Sequence, residues 1–140
     1  MQVTTPLRRL SLLVAAAFAL AVAPESVAQS PLAVAPGVDA LNIAIENDTN
    51  RPVDRVYVLQ RGAYYGVSRE INNQGYTLRI AAAEGEGNRP VIHRAFDSNG
   101  NSPGSRYFNL AGDVEFTGSY FLNADPSGGE AATVFALNNE

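Results

Sequence analysis

The sequence predicts an all-β protein, a parallel β-helix of about three to four rungs with a short capping helix before them; a β-sandwich is the alternative. The main observation is a recurring apolar–polar–apolar triplet, with Tyr57 counted as amphipathic. Val56-Tyr57-Val58 is followed 22 residues later by Leu78-Arg79-Ile80, and 36 residues after that by Val114-Glu115-Phe116. Repetition on this scale is typical of solenoids, in which each unit buries one side against the next. Two-residue hairpin signals, which a sandwich favours, are missing.

Residues 1–28 are predicted to be a secretory signal peptide. Arg8 and Arg9 form a positive region, Leu10–Val22 is an apolar run, and Ser26-Val27-Ala28 supplies the small residues of a cleavage site. The run is shorter than the roughly 20 residues that a spanning helix needs. We therefore expect a secreted, periplasmic or cell-surface location and no membrane contact after cleavage.

The processed chain, 29–140, is expected to be acidic and held together by packing alone. It has 13 acidic and 8 basic residues, a net charge of −5, and the sequence contains no cysteine. The negative charge argues against nucleic acid as a partner. The absence of cysteine excludes thiol chemistry and most structural zinc sites.

The first part of the processed chain is interpreted as a linker, 29–37, followed by a capping helix, 38–50. Val38, Leu41, Ala44 and Ile45 have helical spacing, and Asp39 stands where a carboxylate favours a helix N-terminus. A strand is the alternative, because Leu41, Ile43 and Ile45 alternate. A helix here would cover the open end of the first rung.

Residues 51–140 are predicted to form the rungs of an incomplete solenoid. Asn72-Asn73-Gln74-Gly75 is expected to be a turn, and Asp97–Ser105, rich in Gly, Asn and Ser, an inserted loop that explains the 36-residue step. Further β-helix rungs C-terminal to Glu140 are expected as the partner of the last rung.

Stacking of the triplets predicts which side chains share a column. Val56, Leu78 and Val114 would form one inward column, and Val58, Ile80 and Phe116 the next. Tyr57, Arg79 and Glu115 would then point outward, one above another, about 4.8 Å apart. This outward column is the candidate substrate-binding site, because it combines an aromatic ring, a cation and a carboxylate. The simpler interpretation is an exposed ion pair worth about 0–1 kcal/mol.

No catalytic residue, metal site or cofactor is predicted. His93 is the only histidine, which leaves a catalytic or metal set incomplete, and a surface or turn position is expected for it. Glu84 and Glu86 offer carboxylate oxygens of the kind that Ca²⁺ binds, but their spacing matches no recognised calcium loop.

Several segments resemble a known group of proteins. They are Val56-Tyr57-Val58-Leu59, Gly62, Tyr64, Gly75-Tyr76, Leu78, Ile80, Ala82-Ala83-Glu84-Gly85 and Arg89-Pro90-Val91-Ile92. Across 39–125 the chain resembles the N-terminal rungs of secreted bacterial right-handed parallel β-helix proteins of the pectin-lyase-like class, although it is much shorter than complete members.

The resemblance implies a secreted scaffold or cap segment of a larger surface or polysaccharide-associated protein, without a complete active site in this chain. Two alternatives stay open. One is a polysaccharide lyase or glycoside hydrolase of the same class, and the other is a small secreted β-sandwich binding module. Polysaccharide is the partner that the first two interpretations share.

Overall fold

The computed structural model describes residues 30–96, 99, 106–123 and 133–137, and in the last range the side chains of Val134 and Phe135 only. The strands are β1 (Ser30–Val34), β2 (Gly37–Val38), β3 (Arg55–Leu59), β4 (Tyr64–Val67), β5 (Ile71–Gln74), β6 (Leu78–Ala82), β7 (Val91–Arg94), β8 (Arg106–Ala111), β9 (Val114–Thr117), β10 (Tyr120–Leu122) and β11 (Thr133–Leu137). One helix, α1 (Ala40–Asn47), lies between β2 and β3. The predicted signal peptide lies outside the described residues.

The chain folds as a parallel β-solenoid of about three turns. Sheet A has the order β1-β3-β6-β9, sheet B the order β2-β4-β7-β10, and sheet C the order β5-β8-β11. Every strand pairing among the described residues is parallel, and successive strands of the chain pass from one sheet to the next. The predicted parallel β-helix with a short helix is confirmed. The β-sandwich alternative is wrong, because a sandwich pairs antiparallel neighbours.

The core is a single apolar column enclosed by the three sheets. Its fully buried large side chains are Tyr57, Tyr65, Tyr107, Phe108, Leu41, Leu59, Leu78, Ile80, Ile92 and Val67. Burial of each such side chain is worth about 1.5–3 kcal/mol relative to exposure, so stacking of the turns is the main source of stability.

The predicted register between β3 and β6 was wrong by one residue. Tyr57 pairs with Ile80 and Val56 with Arg79, whereas β6 and β9 pair as predicted, Leu78 with Val114 and Ile80 with Phe116. A slip of one residue moves every side chain of a strand to the opposite face. Tyr57 is therefore fully buried instead of pointing outward.

The consequences for the predicted columns follow directly. Val56 joins Arg79 and Glu115 on the outer face of sheet A, and Val58 lies opposite Ala81 and is only half-buried. The triplet predicted the wrong face of β3 because it treated Tyr57 as an outward residue. A tyrosine can bury its ring in the core while its hydroxyl reaches polar partners at the edge of the core.

The segment 29–37, predicted to be a linker, instead includes β1 and the first residue of β2, both in the first turn. β1 pairs with β3 over its whole length, and β2 pairs with β4. Val34 is buried while Pro31 and Ala33 are exposed, which is the alternation of a half-buried strand. Pro31 made the segment look irregular, but proline is tolerated on an edge strand such as β1.

The predicted helix exists, although it is shorter than 38–50. It follows β1 and β2, in the place where later turns have a sheet C strand, and it buries Leu41 and Ile45 in the core. Asp39 precedes it with a left-handed backbone, φ 55°. The Asp39 carboxylate accepts hydrogen bonds from the Ser68 backbone (2.8 Å) and the Ser68 hydroxyl (2.5 Å), which attaches the helix to the second turn.

The Asn-rich segment predicted as a turn is mostly strand. Asn72, Asn73 and Gln74 belong to β5, and the chain turns from sheet C towards sheet A after Gly75, whose φ of 74° suits glycine. Asn73 is fully buried; its amide donates to the Asp113 carbonyl (3.0 Å) and accepts from the Ala111 backbone (3.2 Å). These bonds satisfy a buried polar side chain and join the second and third turns.

The extra length of the third turn is divided between two corners. The corner between sheets A and B is residues 60–63 in the second turn and 83–90 in the third. The corner between sheets B and C is residues 68–70 in the second turn and 95–105 in the third. Of the predicted insertion Asp97–Ser105, only Asn99 is described.

Candidate functional site

Two members of the predicted site meet on the outer face of sheet A. The Arg79 Nε lies 3.2 Å from the Glu115 Oε2, and the Arg79 Nη1 donates to the Val53 carbonyl at 2.8 Å. The predicted neighbour relation between Arg79 and Glu115 is confirmed. The pair borders a shallow cleft of about 240 Å³ whose other outer-face lining is Val56, Ala81 and Thr117. Because Tyr57 is buried, the described residues that line this cleft include no aromatic ring. The Glu115 side chain is 59% exposed.

Tyr57 lies at the inner end of a polar network at the corner between α1 and β3. Its hydroxyl accepts a hydrogen bond from the Arg51 Nε (2.7 Å) and lies 3.3 Å from the Asp48 Oδ2, to which it donates. The same Asp48 oxygen accepts a bond from the Arg55 Nε at 2.6 Å. Burial raises the pKa of the Tyr57 phenol above its ordinary value, although the Arg51 cation opposes this shift.

Arg51 also connects the end of the helix with Tyr76. Its Nη2 donates to the Ile45 carbonyl at 2.6 Å, and its guanidinium carbon lies 3.9 Å from the centre of the Tyr76 ring. The first contact satisfies a carbonyl in the last turn of α1. The second is a close cation–π contact. Two clefts, of about 450 and 420 Å³, border Arg51 and Tyr76.

The outer face of sheet B carries exposed aromatic side chains. Tyr64, Val91 and Tyr120 share one register position on β4, β7 and β10, and Tyr64 and Tyr120 are 62% and 56% exposed. His93 lies on β7 beside them, its ring 6.1 Å from that of Tyr64 in an edge-to-face arrangement. His93 is thus in a strand rather than a turn, and its Nδ1 lies 2.7 Å from the Arg94 carbonyl.

This aromatic face was missed from the sequence. The signal was present in the sequence, because Tyr64 and Tyr120 each directly precede an inward-facing aromatic residue, Tyr65 and Phe121, and so lie on the opposite face of the sheet. It could be used only once the 27-residue and 29-residue steps between β4, β7 and β10 were known, because loop lengths hide the register.

The last turn leaves apolar side chains partly uncovered. Phe108, Phe116, Phe121 and Phe135 form one ring cluster, with centres 5.0–6.0 Å apart. Phe108 is fully buried, Phe116 and Phe121 are half-buried, and Phe135 is 38% exposed. Strands β9, β10 and β11 each pair on one side only within the described residues.

Within the part of the chain that the structure describes, no group of three or more His, Asp or Glu side chains is placed to hold a metal ion. Nor is any helix there long and apolar enough to cross a membrane. No protein-family model matches the sequence, and no curated protein matches it.

Proposed function

We propose that this chain is the helix-capped first segment of a longer, exported β-solenoid, in which it acts as a scaffold rather than as a catalyst. The observation that carries the proposal is the difference between the two ends of the core. At one end α1 inserts Leu41 and Ile45. At the other, Phe116, Phe121 and Phe135 remain partly exposed beside three strand edges.

Further rungs of the same polypeptide are the covering that suits this end best. An unpaired parallel edge offers a row of backbone donors and acceptors in a fixed register, and the half-buried phenylalanines offer apolar area beside it. A further rung would pair with all three edges and cover the rings together. Export is supported by Arg8 and Arg9, the apolar run Leu10–Val22 and the small residues Ser26–Ala28.

The test compares the native polypeptide with the recombinant chain. We expect an antibody raised against residues 29–140 to detect a larger exported protein in the source cells. We also expect amide hydrogen exchange in β9, β10 and β11 to be slower in that native protein than in the recombinant chain, because edge amides gain partners. A native monomer ending at Glu140, with the same exchange rates in both preparations, would contradict the proposal.

A second candidate function, contact with polysaccharide, is favoured by the outer face of sheet B. Tyr64 and Tyr120 stand in one column two strands apart, roughly 10 Å at the usual strand spacing, with Val91 between them. Exposed aromatic rings in a row suit stacking on the apolar faces of sugars. This face differs from the predicted column, of which only Arg79 and Glu115 lie on a common outer surface.

Calorimetry with neutral and acidic polysaccharides separates the two faces. We expect Tyr64→Ala to weaken binding about tenfold, the equivalent of one lost aromatic contact. Ile43→Ala, at an apolar side chain of α1 that is 48% exposed and lies off the three sheets, is the control. If Arg79→Ala weakens binding instead, sheet A is the contact surface, and if no polysaccharide binds, the second candidate function is wrong.

A further inference from the structure

Arg51 has no carboxylate partner among the described residues, unlike four other arginines there. Arg55, Arg69, Arg79 and Arg106 form ion pairs with Asp48, Glu46, Glu115 and Glu70, whereas the Arg51 hydrogen bonds go to the Tyr57 hydroxyl and the Ile45 carbonyl. Its Nη1 has no hydrogen-bond partner among the described residues. The Arg51 charge is thus held in place without being neutralised by direct pairing.

The guanidinium is also fixed in orientation. Nε and Nη2 are anchored by bonds of 2.7 and 2.6 Å, and the guanidinium carbon lies 3.9 Å from the Tyr76 ring centre. An arginine usually loses side-chain entropy when it binds an anion. Most of that loss has already occurred here, so a ligand meets a preorganised cation.

Among the described residues, no acidic side chain lines the cleft of about 450 Å³ beside Arg51. Thr49 and Thr77 contribute hydroxyls to this cleft, and Pro52 and Val53 contribute apolar surface. Thr49 and Tyr76, like Arg51, also line the neighbouring cleft. That neighbouring cleft, of about 420 Å³, is lined by Glu46 and Asp48 and would repel an anion. The two clefts share Arg51 but differ in charge.

We propose that the acid-free cleft binds a small organic carboxylate, with Arg51 as the anchor of the carboxylate group. Hydrogen bonds between a guanidinium and a carboxylate are charge-assisted and stronger than neutral ones. The threonine hydroxyls can donate to the second carboxylate oxygen, and Pro52, Val53 and the Tyr76 ring suit an apolar body behind it. An organic acid therefore fits this lining better than an inorganic anion does.

The bond from Arg51 to the Ile45 carbonyl also stabilises the helix end, so a substitution has to be judged against a structural control. Arg61 is a matched residue: it also has no carboxylate partner among the described residues, and its Nε and Nη1 donate to the Ala83 and Gly87 carbonyls at 2.7 and 3.2 Å. Arg61→Lys alters a corner of the solenoid in the same way without touching the cleft.

The first experiment needs no variant. Isotope-labelled protein is titrated with benzoate and, separately, with its neutral analogue benzamide, and amide chemical shifts are followed by NMR. We expect benzoate to shift Thr49, Arg51, Tyr76 and Thr77 with a Kd of about 1 mM, and benzamide to bind at least about tenfold more weakly. Equal shifts from both compounds, shifts spread over other arginines, or no benzoate shifts would overturn the proposal.

The second experiment assigns the anchor. We expect Arg51→Lys to weaken benzoate binding about tenfold, because an ammonium cannot keep both anchoring bonds and also present a further N–H to the carboxylate in a fixed geometry. Arg61→Lys should leave binding unchanged. Circular dichroism reports whether each variant is folded. If Arg51→Lys is unfolded, the comparison of benzoate with benzamide on the unaltered protein decides the proposal. Equal weakening by both folded variants would overturn it.

Discussion

The two ends of the solenoid use the same kinds of residue with different results. In the first turn the side chains of Val34, Leu41 and Ile45 are at most 5% exposed, because α1 closes that side of the core. In the last turn Phe116 and Phe121 face inward and are only half-buried. An inward position in a solenoid is therefore buried only when a neighbour lies on each side of it. The comparison predicts that equal substitutions will have unequal costs at the two ends.

Phenylalanine truncation should show the largest difference. Phe108 and Phe135 lie opposite each other on neighbouring strands of sheet C. Phe108 is fully buried and Phe135 is 38% exposed. We expect Phe108→Ala to lower the free energy of unfolding by about 3–5 kcal/mol and Phe135→Ala by less than half of that. Urea unfolding of both variants measures the difference. Equal costs would mean that the last turn is as well covered as the one before it.

Ion pairs should show an intermediate difference. The side chains of Asp48 and Arg55, near the capped end, are 10% and 16% exposed, whereas Arg79 and Glu115 are 26% and 59% exposed. We expect Arg55→Ala to cost about 1.5–3 kcal/mol, since it leaves Asp48 short of a charged donor. Arg79→Ala should cost about 0–1 kcal/mol. Thermal unfolding at low and high salt checks both values, and the reverse order would contradict the burial difference.

The pH dependence of stability should show the smallest and most localised effect. Burial raises the pKa of the Tyr57, Tyr65, Tyr76 and Tyr107 phenols above the ordinary value of about 10. The folded state therefore favours the protonated phenols. Stability should be fully present below pH about 10 and be lost as the pH rises through the higher folded-state pKa.

Urea unfolding at pH values on both sides of about 10 measures this loss. Tyr57→Phe removes one of the phenols and should make the loss at high pH smaller than in the unaltered protein. Because this variant also removes the hydroxyl that binds Arg51, the slope with pH is the informative quantity rather than the stability at neutral pH. A slope that is unchanged by Tyr57→Phe would show that Tyr57 does not contribute to the alkaline loss.

The register between two strands was predictable where the sequence clearly marks a loop between them. The contact between Arg79 and Glu115 followed from recognising that the step from Leu78 to Val114 contains an insertion, and the register there is correct. The register at Tyr57 was not predictable from the triplet alone, because Val56 and Tyr57 are both acceptable inward residues. Which of them faces the core depends on the lengths of the corners.

The role of Arg51 could not be predicted for a related reason. Its partners, the Ile45 carbonyl, the Tyr57 hydroxyl and the Tyr76 ring, are 6 residues away on one side and 6 and 25 residues away on the other. Nothing in the local sequence distinguishes Arg51 from Arg55, which pairs with a carboxylate instead. The distinction arises only where the end of α1 meets the corner between β5 and β6.

By itself the sequence determined the short strands, their glycine-bearing corners, the capping helix and the parallel stacking, because these follow from local propensity and from an apolar repeat. The tertiary structure alone decided which face of β3 is buried, that residues 30–34 join the first turn, and which cations keep a carboxylate partner. The physical reason is that a strand has two faces and an edge, and only contact with its neighbouring turns selects among them.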